Sequence, residues 1–108
     1  MSTSNEYVII SGVRTPFGRF GGSLKDVNVI DLGAEVMKEA IKRAGLKPEQ
    51  IDEVWWGCGD TSNTDDVFTP VVGRQSLLEA GLPPETPCCT FDKACVSGHL
   101  QFFLQSEP

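Results

Sequence analysis

Pro87-Cys88-Cys89-Thr90-Phe91-Asp92-Lys93-Ala94-Cys95-Val96-Ser97-Gly98 is a short run of extended-chain formers that gives way to small and polar residues. The first five predict a strand, and Ser97 to about Phe103 predicts a helix following at once. A strand that hands over directly to a helix is the building step of α/β folds, so this junction sets the reading of the rest of the chain. Cys95 stands at the handover. Unpaired backbone N–H groups and the positive end of a helix dipole favour a thiolate over a thiol at such a place, which makes Cys95 a candidate nucleophile.

Working back from the junction, Leu82-Pro83-Pro84-Glu85-Thr86 reads as a rigid linker. Before it, Val71, Val72, Leu77, Leu78 and Ala80 supply the apolar side of a helix opened by Thr69 or Pro70 and stopped by Gly81. A polar loop runs from Gly59 to Asp66, and Glu53 to Cys58, with Trp55 and Trp56, reads as a strand. Adjacent tryptophans on a strand point to opposite faces, and core packing is the reading for them rather than stacking on a base.

Lys47 to Gln50 is a turn. Asn28 predicts an N-cap, with Asp31 as its capping-box partner, and Gly45 a C-terminal stop. Between them Val29, Gly33, Met37, Ala40, Ile41 and Ala44 recur at helical spacing, opposite Glu35, Lys38, Glu39, Lys42 and Arg43. Arg14 to Asp26 is rich in Gly and reads as a loop. Glu6 to Val13, with Tyr7, Val8, Ile9 and Ile10, predicts a first strand covered on both faces. The order is βαβαβα, without repeats, and the expected fold class is α/β with a mixed sheet covered by helices.

The chain has 108 residues, enough for one domain, with 40% hydrophobic and 22% charged residues. Fifteen acidic against nine basic residues give a net charge of −6, with the basic ones scattered, so a nucleic-acid partner is not expected. The first residues carry no basic and apolar leader, and no apolar run approaches spanning length, so no membrane partner and a cytoplasmic location are expected. Four cysteines, at 58, 88, 89 and 95, are expected as reduced thiols. With one histidine and no C-x-x-C spacing, no metal site is expected.

Val8 to Gly18, including Arg14-Thr15-Pro16-Phe17-Gly18, followed by Phe20-Gly21-Gly22-Ser23-Leu24, resembles the amino-terminal signature of the thiolases, the acetyl-CoA acyltransferases. Ala40 to Gly45, Ile51 to Val54, Gly73-Arg74-Gln75, Ala80-Gly81-Leu82-Pro83 and Lys93 to Gly98 continue the resemblance in register from about residue 7 to residue 98, while 99 to 108 diverge. The resemblance implies a thiolase-like fold, of which residues 1 to 108 are part of the first half-domain. It also implies an acyl-cysteine intermediate on Cys95, formed from a 3-oxoacyl-CoA or acyl-CoA. Coenzyme A would enter as substrate, with no cofactor and no metal. Sulfur suits the task because thioester exchange keeps the acyl group reactive while splitting one hard step into two. Ala94, Ser97 and Gly98 are small and leave room for a pantetheine thioester. The family's assembly implies a homodimer or homotetramer for a full-length form.

Cys58, Cys88 and Cys89 are expected to fill space, as free cysteines often do. Arg74, by the same resemblance, is a structural support of the active-site loops, against a solvated helix arginine. His99 lies one helical turn after Cys95, yet thiolases usually place an apolar residue there and take their activating histidine from a later segment. That histidine and the second, acid/base cysteine are not among these residues. A truncated thiolase amino-terminal domain is therefore expected, with little or no turnover from the 108 residues alone. A non-catalytic acyl-CoA or lipid-binding module, or an assembly partner, is the alternative. The Thr61 to Phe68 stretch departs from the family's small-residue loop.

Overall fold

The computed structural model describes residues 6–60 and 70–98. Its longest element, α1, spans Val29–Ala44. The Asn28 side chain accepts a hydrogen bond from the Asp31 N–H at 2.8 Å and so satisfies one of the amides that a helix start leaves unpaired. Gly45 ends the helix at φ 73°, a left-handed conformation that a residue without Cβ adopts at no steric cost. The following Leu46 N–H reaches back to the Ile41 carbonyl at 3.2 Å. Both ends of this helix lie where the sequence puts them.

A short 3₁₀ turn at Pro48–Gln50 leads into β1, Val54–Gly57. Helix α2, Val72–Glu79, carries the chain back to β2, Cys88–Phe91, which pairs with β1 in parallel, Val54 opposite Cys88 and Gly57 opposite Phe91. Flanking bonds from Val54 N–H to the Pro87 carbonyl and from Cys58 N–H to the Phe91 carbonyl lengthen the ladder at both ends, at 2.9 and 2.8 Å. Strand, crossover helix and parallel strand form one βαβ unit, with α1 laid across α2.

Close approach of these layers depends on two glycines. A Cβ at Gly73 would stand 2.7 Å from Trp56 Cβ and 2.8 Å from Thr90 Oγ1, so α2 lies with its backbone almost on the sheet. The Gly73 N–H uses that proximity to donate to Thr90 Oγ1 at 3.1 Å. At Gly33 a Cβ would run into the Ser76 side chain and stand 3.1 Å from Trp56 Cζ2. The buried Ser76 hydroxyl donates to the Ile30 carbonyl at 3.0 Å and ties the two helices where they cross. Around this crossing Ala34, Met37, Leu77, Ala80 and Leu82 make the core, with Ile41, Ile51, Val54, Trp56 and Cys88 packed against it.

The α/β class agrees with the sequence reading, and two of its details change. Tyr7 to Ile10, expected as a first strand buried on both faces, has no ladder and is 60 to 77% exposed. A strand needs both a hydrogen-bonded neighbour and apolar cover, and this run, exposed along its length, has neither among the described residues. Helix α2 begins at Val72, two residues after Pro70, because Val71 sits at φ 43°; Thr69 lies outside the described residues. In place of a side-chain cap, the Gln75 amide donates to the Pro70 carbonyl at 2.6 Å. Of the helix expected from Ser97 to about Phe103, Ser97 and Gly98 are described and helical; the rest of that range lies outside the described residues, as does the Thr61 to Phe68 stretch.

Candidate active site

At the carboxyl end of β2 the chain makes a tight turn, Asp92 to Ser97, with Cys95 exposed upon it. Ala94, the residue before the cysteine, has φ 48°. For a residue with a Cβ that conformation costs about 1 kcal/mol or more, and it persists only where the surroundings hold it. Here they do. The Ala94 N–H donates to Asp92 Oδ1 at 3.0 Å, and the Ala94 carbonyl accepts from the Ser97 hydroxyl at 2.7 Å and from the Ser97 N–H at 3.2 Å. Ser97 Oγ also accepts from the Lys93 N–H at 2.7 Å, and Val96 N–H donates to the Lys93 carbonyl at 3.2 Å.

This turn rests on the end of β1. A Cβ at Gly57 would lie 2.6 Å from the backbone of Ser97 and Gly98, and one at Gly59 would lie 2.5 Å from the Ala94 carbonyl oxygen. Two glycines one residue apart therefore face both flanks of Cys95, with no side chain between the two stretches of backbone. The alternation of a strand turns the intervening Cys58 the other way. It is buried, and its thiol donates to the Asp60 carbonyl at 3.1 Å.

The remaining residues singled out in the sequence fall in separate places. Cys88 and Cys89 take opposite faces of β2, as their adjacency requires: Cys88 packs on the core and Cys89 is exposed. The space-filling role expected of Cys89 is thus corrected, because the layer of helices covers only the Cys88 face. All four cysteines are free thiols. Trp56 packs into the core, whereas Trp55 stacks on Phe91 on the outer face, ring centroids 5.4 Å apart. Arg74, half-buried, donates from Nη1 to the Pro84 carbonyl at 3.0 Å and so braces the linker that leads into β2, at the end of the strand remote from Cys95. His99 lies outside the described residues.

Burial is the main cause that raises the Cys88 thiol above its ordinary value; the Arg74 guanidinium opposes the shift and Cys89 adds to it. A raised thiol pKa means that folding favours the protonated form. That contribution to stability is complete below the pKa of the unfolded chain and is lost as pH rises through the folded value. In the native chain at neutral pH, iodoacetamide is expected to modify Cys89 well before Cys88, and the difference to vanish in urea. Equal rates in the native chain would contradict the packing of β2 against α2.

Gly57, Gly59 and Asp92 stand out as site residues only in the structure, and Ser97 reads in the sequence as a small residue at a helix start. A usable signal was present, since glycine at the end of a strand often marks a close approach of another backbone. What it could not show was which backbone.

Fold and site together define an α/β protein that presents a thiol on the turn at the carboxyl end of a parallel strand. Residues 7–102 match the family model described as thiolase, N-terminal domain, and the chain belongs to the thiolase family. It is 48% identical over 95 residues to an acetyl-CoA acetyltransferase of Syntrophomonas wolfei, a match covering 88% of this chain and 23% of that protein. A mitochondrial acetyl-CoA acetyltransferase of Danio rerio is 42% identical over 103 residues, 95% of this chain and 24% of the relative. Among solved structures, human mitochondrial 3-ketoacyl-CoA thiolase in complex with CoA superposes with a TM-score of 0.78 at 33% identity, over 89% of this chain and 24% of that one. The chain spans about a quarter of the length of the relatives it matches.

Proposed function

We propose that this chain supplies the acyl-accepting sulfur of a thiolase-type acyltransferase, and that the sulfur is Cys95 Sγ. In the first half-reaction the sulfur attacks the carbonyl carbon of an acyl-CoA. The bond from that carbon to the CoA sulfur breaks, CoA departs with the proton that the thiol gave up, and the acyl group rests on Cys95 as a thioester; from a 3-oxoacyl-CoA the attack falls on the 3-oxo carbon instead, its bond to C2 breaks, and the shortened acyl-CoA departs with that proton. In the second, the thiol of coenzyme A attacks the same carbon and its proton passes to the freed cysteine, or the α-carbon of a second acyl-CoA attacks with formation of a carbon–carbon bond, the α-proton it gives up ending on the freed cysteine. Coenzyme A is thus substrate and product, not a resident cofactor.

The exposure of Cys95 on a turn anchored on both flanks is the observation that carries this reading. A nucleophile must be reachable and must hold its direction, and the turn provides both. Membership of the thiolase family supports the choice of acyl-CoA as donor, as does the similarity to acetyl-CoA acetyltransferases. Arg74 takes a supporting part by holding the linker that sets where β2 begins.

Incubation of the chain with acetyl-CoA, followed by proteolysis and mass spectrometry, tests the proposal in a single turnover. The expected result is one acetyl group on the peptide containing Cys95, removable by added coenzyme A. Acetyl distributed equally over Cys95 and the exposed Cys89, or absent from both, overturns it. Reversible retention of coenzyme A without acylation would favour the non-catalytic binding module instead.

A further inference from the structure

We infer that Ser97 is a positioning residue for Cys95: its hydroxyl clasps the turn on the amino-terminal side of the cysteine and fixes the direction in which the sulfur is presented. The inference rests on the reading of Cys95 as the nucleophile and adds a residue that acts through it.

The argument starts from burial. Ser97 is 3% exposed in a turn whose other members, Asp92 to Val96, are all exposed. A hydroxyl withdrawn from water must find partners within the protein, and Ser97 Oγ has two at 2.7 Å, donating to the Ala94 carbonyl and accepting from the Lys93 N–H. Both partners precede Cys95, while Ser97 follows it. The side chain therefore closes a ring across the cysteine that the backbone alone would leave to two longer bonds, each 3.2 Å. Ala94 needs that closure, because its positive φ is disfavoured for an alanine in the absence of restraint. The Asp92 carboxylate holds the Ala94 N–H, and Ser97 holds its carbonyl, so the residue that leads into Cys95 is gripped on both its peptide groups. From behind, the Gly57 backbone abuts the Ser97–Gly98 peptide so closely that the clasp has no room to retreat. A change of φ at Ala94 turns the Cα–Cβ bond of the next residue, and hence the sulfur.

Two measurements on the native 108-residue chain test the inference. In the unaltered chain, the Lys93 amide is expected to exchange its hydrogen slowly, as a bonded group does. Exchange at the rate of an unstructured peptide overturns the clasp whatever any variant does. In the Ser97→Ala chain, with limiting iodoacetamide, the rate of Cys95 relative to Cys89 is expected to fall about tenfold, the equivalent of one lost hydrogen bond, while buried Cys58 stays unreactive and so reports an intact fold. An unchanged ratio with Cys58 protected overturns the inference. Should Cys58 become reactive, the variant has unfolded, and the Lys93 exchange rate decides. If Cys95 of the unaltered chain reacts no faster than Cys89, it is the nucleophile reading that fails, and slow exchange at Lys93 would still establish the clasp as a feature of the turn.

Discussion

Cys95→Ser is expected to take single-turnover acetylation of the chain to nothing measurable while leaving its fold unchanged. Serine keeps the shape of the side chain and replaces sulfur by a hydroxyl, which ionises far less readily and is a weak nucleophile unless a neighbouring base takes its proton. Loss of a covalent nucleophile costs on the order of 10⁴-fold or more in rate. No comparable cost falls on stability. Cys95 is exposed, and the turn around it is held by the side chains of Asp92 and Ser97 and by backbone bonds, so the change is expected within about 0.5 kcal/mol. Intact-mass measurement after incubation with acetyl-CoA, beside circular dichroism, reads both. A serine variant that still gains a thiolysable acetyl group would place the acceptor on another residue.

Leu77→Ala is expected to be the most destabilising of single core truncations. Leu77 is 0% exposed and sits where α2 meets α1 and the sheet, among Ala34, Met37, Ala80 and Leu82. Removing a fully buried leucine side chain forfeits its transfer from water and leaves a cavity, together about 2 to 5 kcal/mol. Domains of this size have about 5 to 15 kcal/mol in total, and this core is thin, with two of its five central residues already alanine. Urea denaturation is expected to show a midpoint lowered by a large fraction. The neighbouring Leu78, 47% exposed, provides the comparison: Leu78→Ala is expected to cost much less. Equal losses for the two would mean that α2 does not present Leu77 to the core. Acylation at Cys95 should weaken along with the core in Leu77→Ala, because α2 is packed on both strands whose carboxyl ends carry the turn.

Most of the scaffold is legible in the order of residues. Asn28 and Gly45 bracket α1 because caps act over a single turn of helix, and a local cause can be read locally. Cys88 and Cys89 fall on opposite faces of β2 because side chains alternate along any strand. Tyr7 to Ile10 shows the limit of this kind of inference. Its composition suits a buried strand, but burial needs a partner and a cover, and neither is encoded within the run itself. The contact that Arg74 makes, from its guanidinium to the Pro84 carbonyl at the entry to β2, joins residues ten apart and is set by how the linker folds back on α2, which no local pattern encodes.

The α/β class, the course of α1 and the place of one cysteine just beyond a strand are written in the order of residues. Each follows from propensities, caps or periodicities that extend over a few neighbouring residues. That Gly57 and Gly59 underlie the turn, that the Ser97 hydroxyl closes it and that Ala94 is held at positive φ are outcomes of packing. Those features arise where backbones distant in sequence come within van der Waals contact. Which segments meet so closely depends on how α2 and α1 stack on the sheet, not on any local preference of the residues that meet.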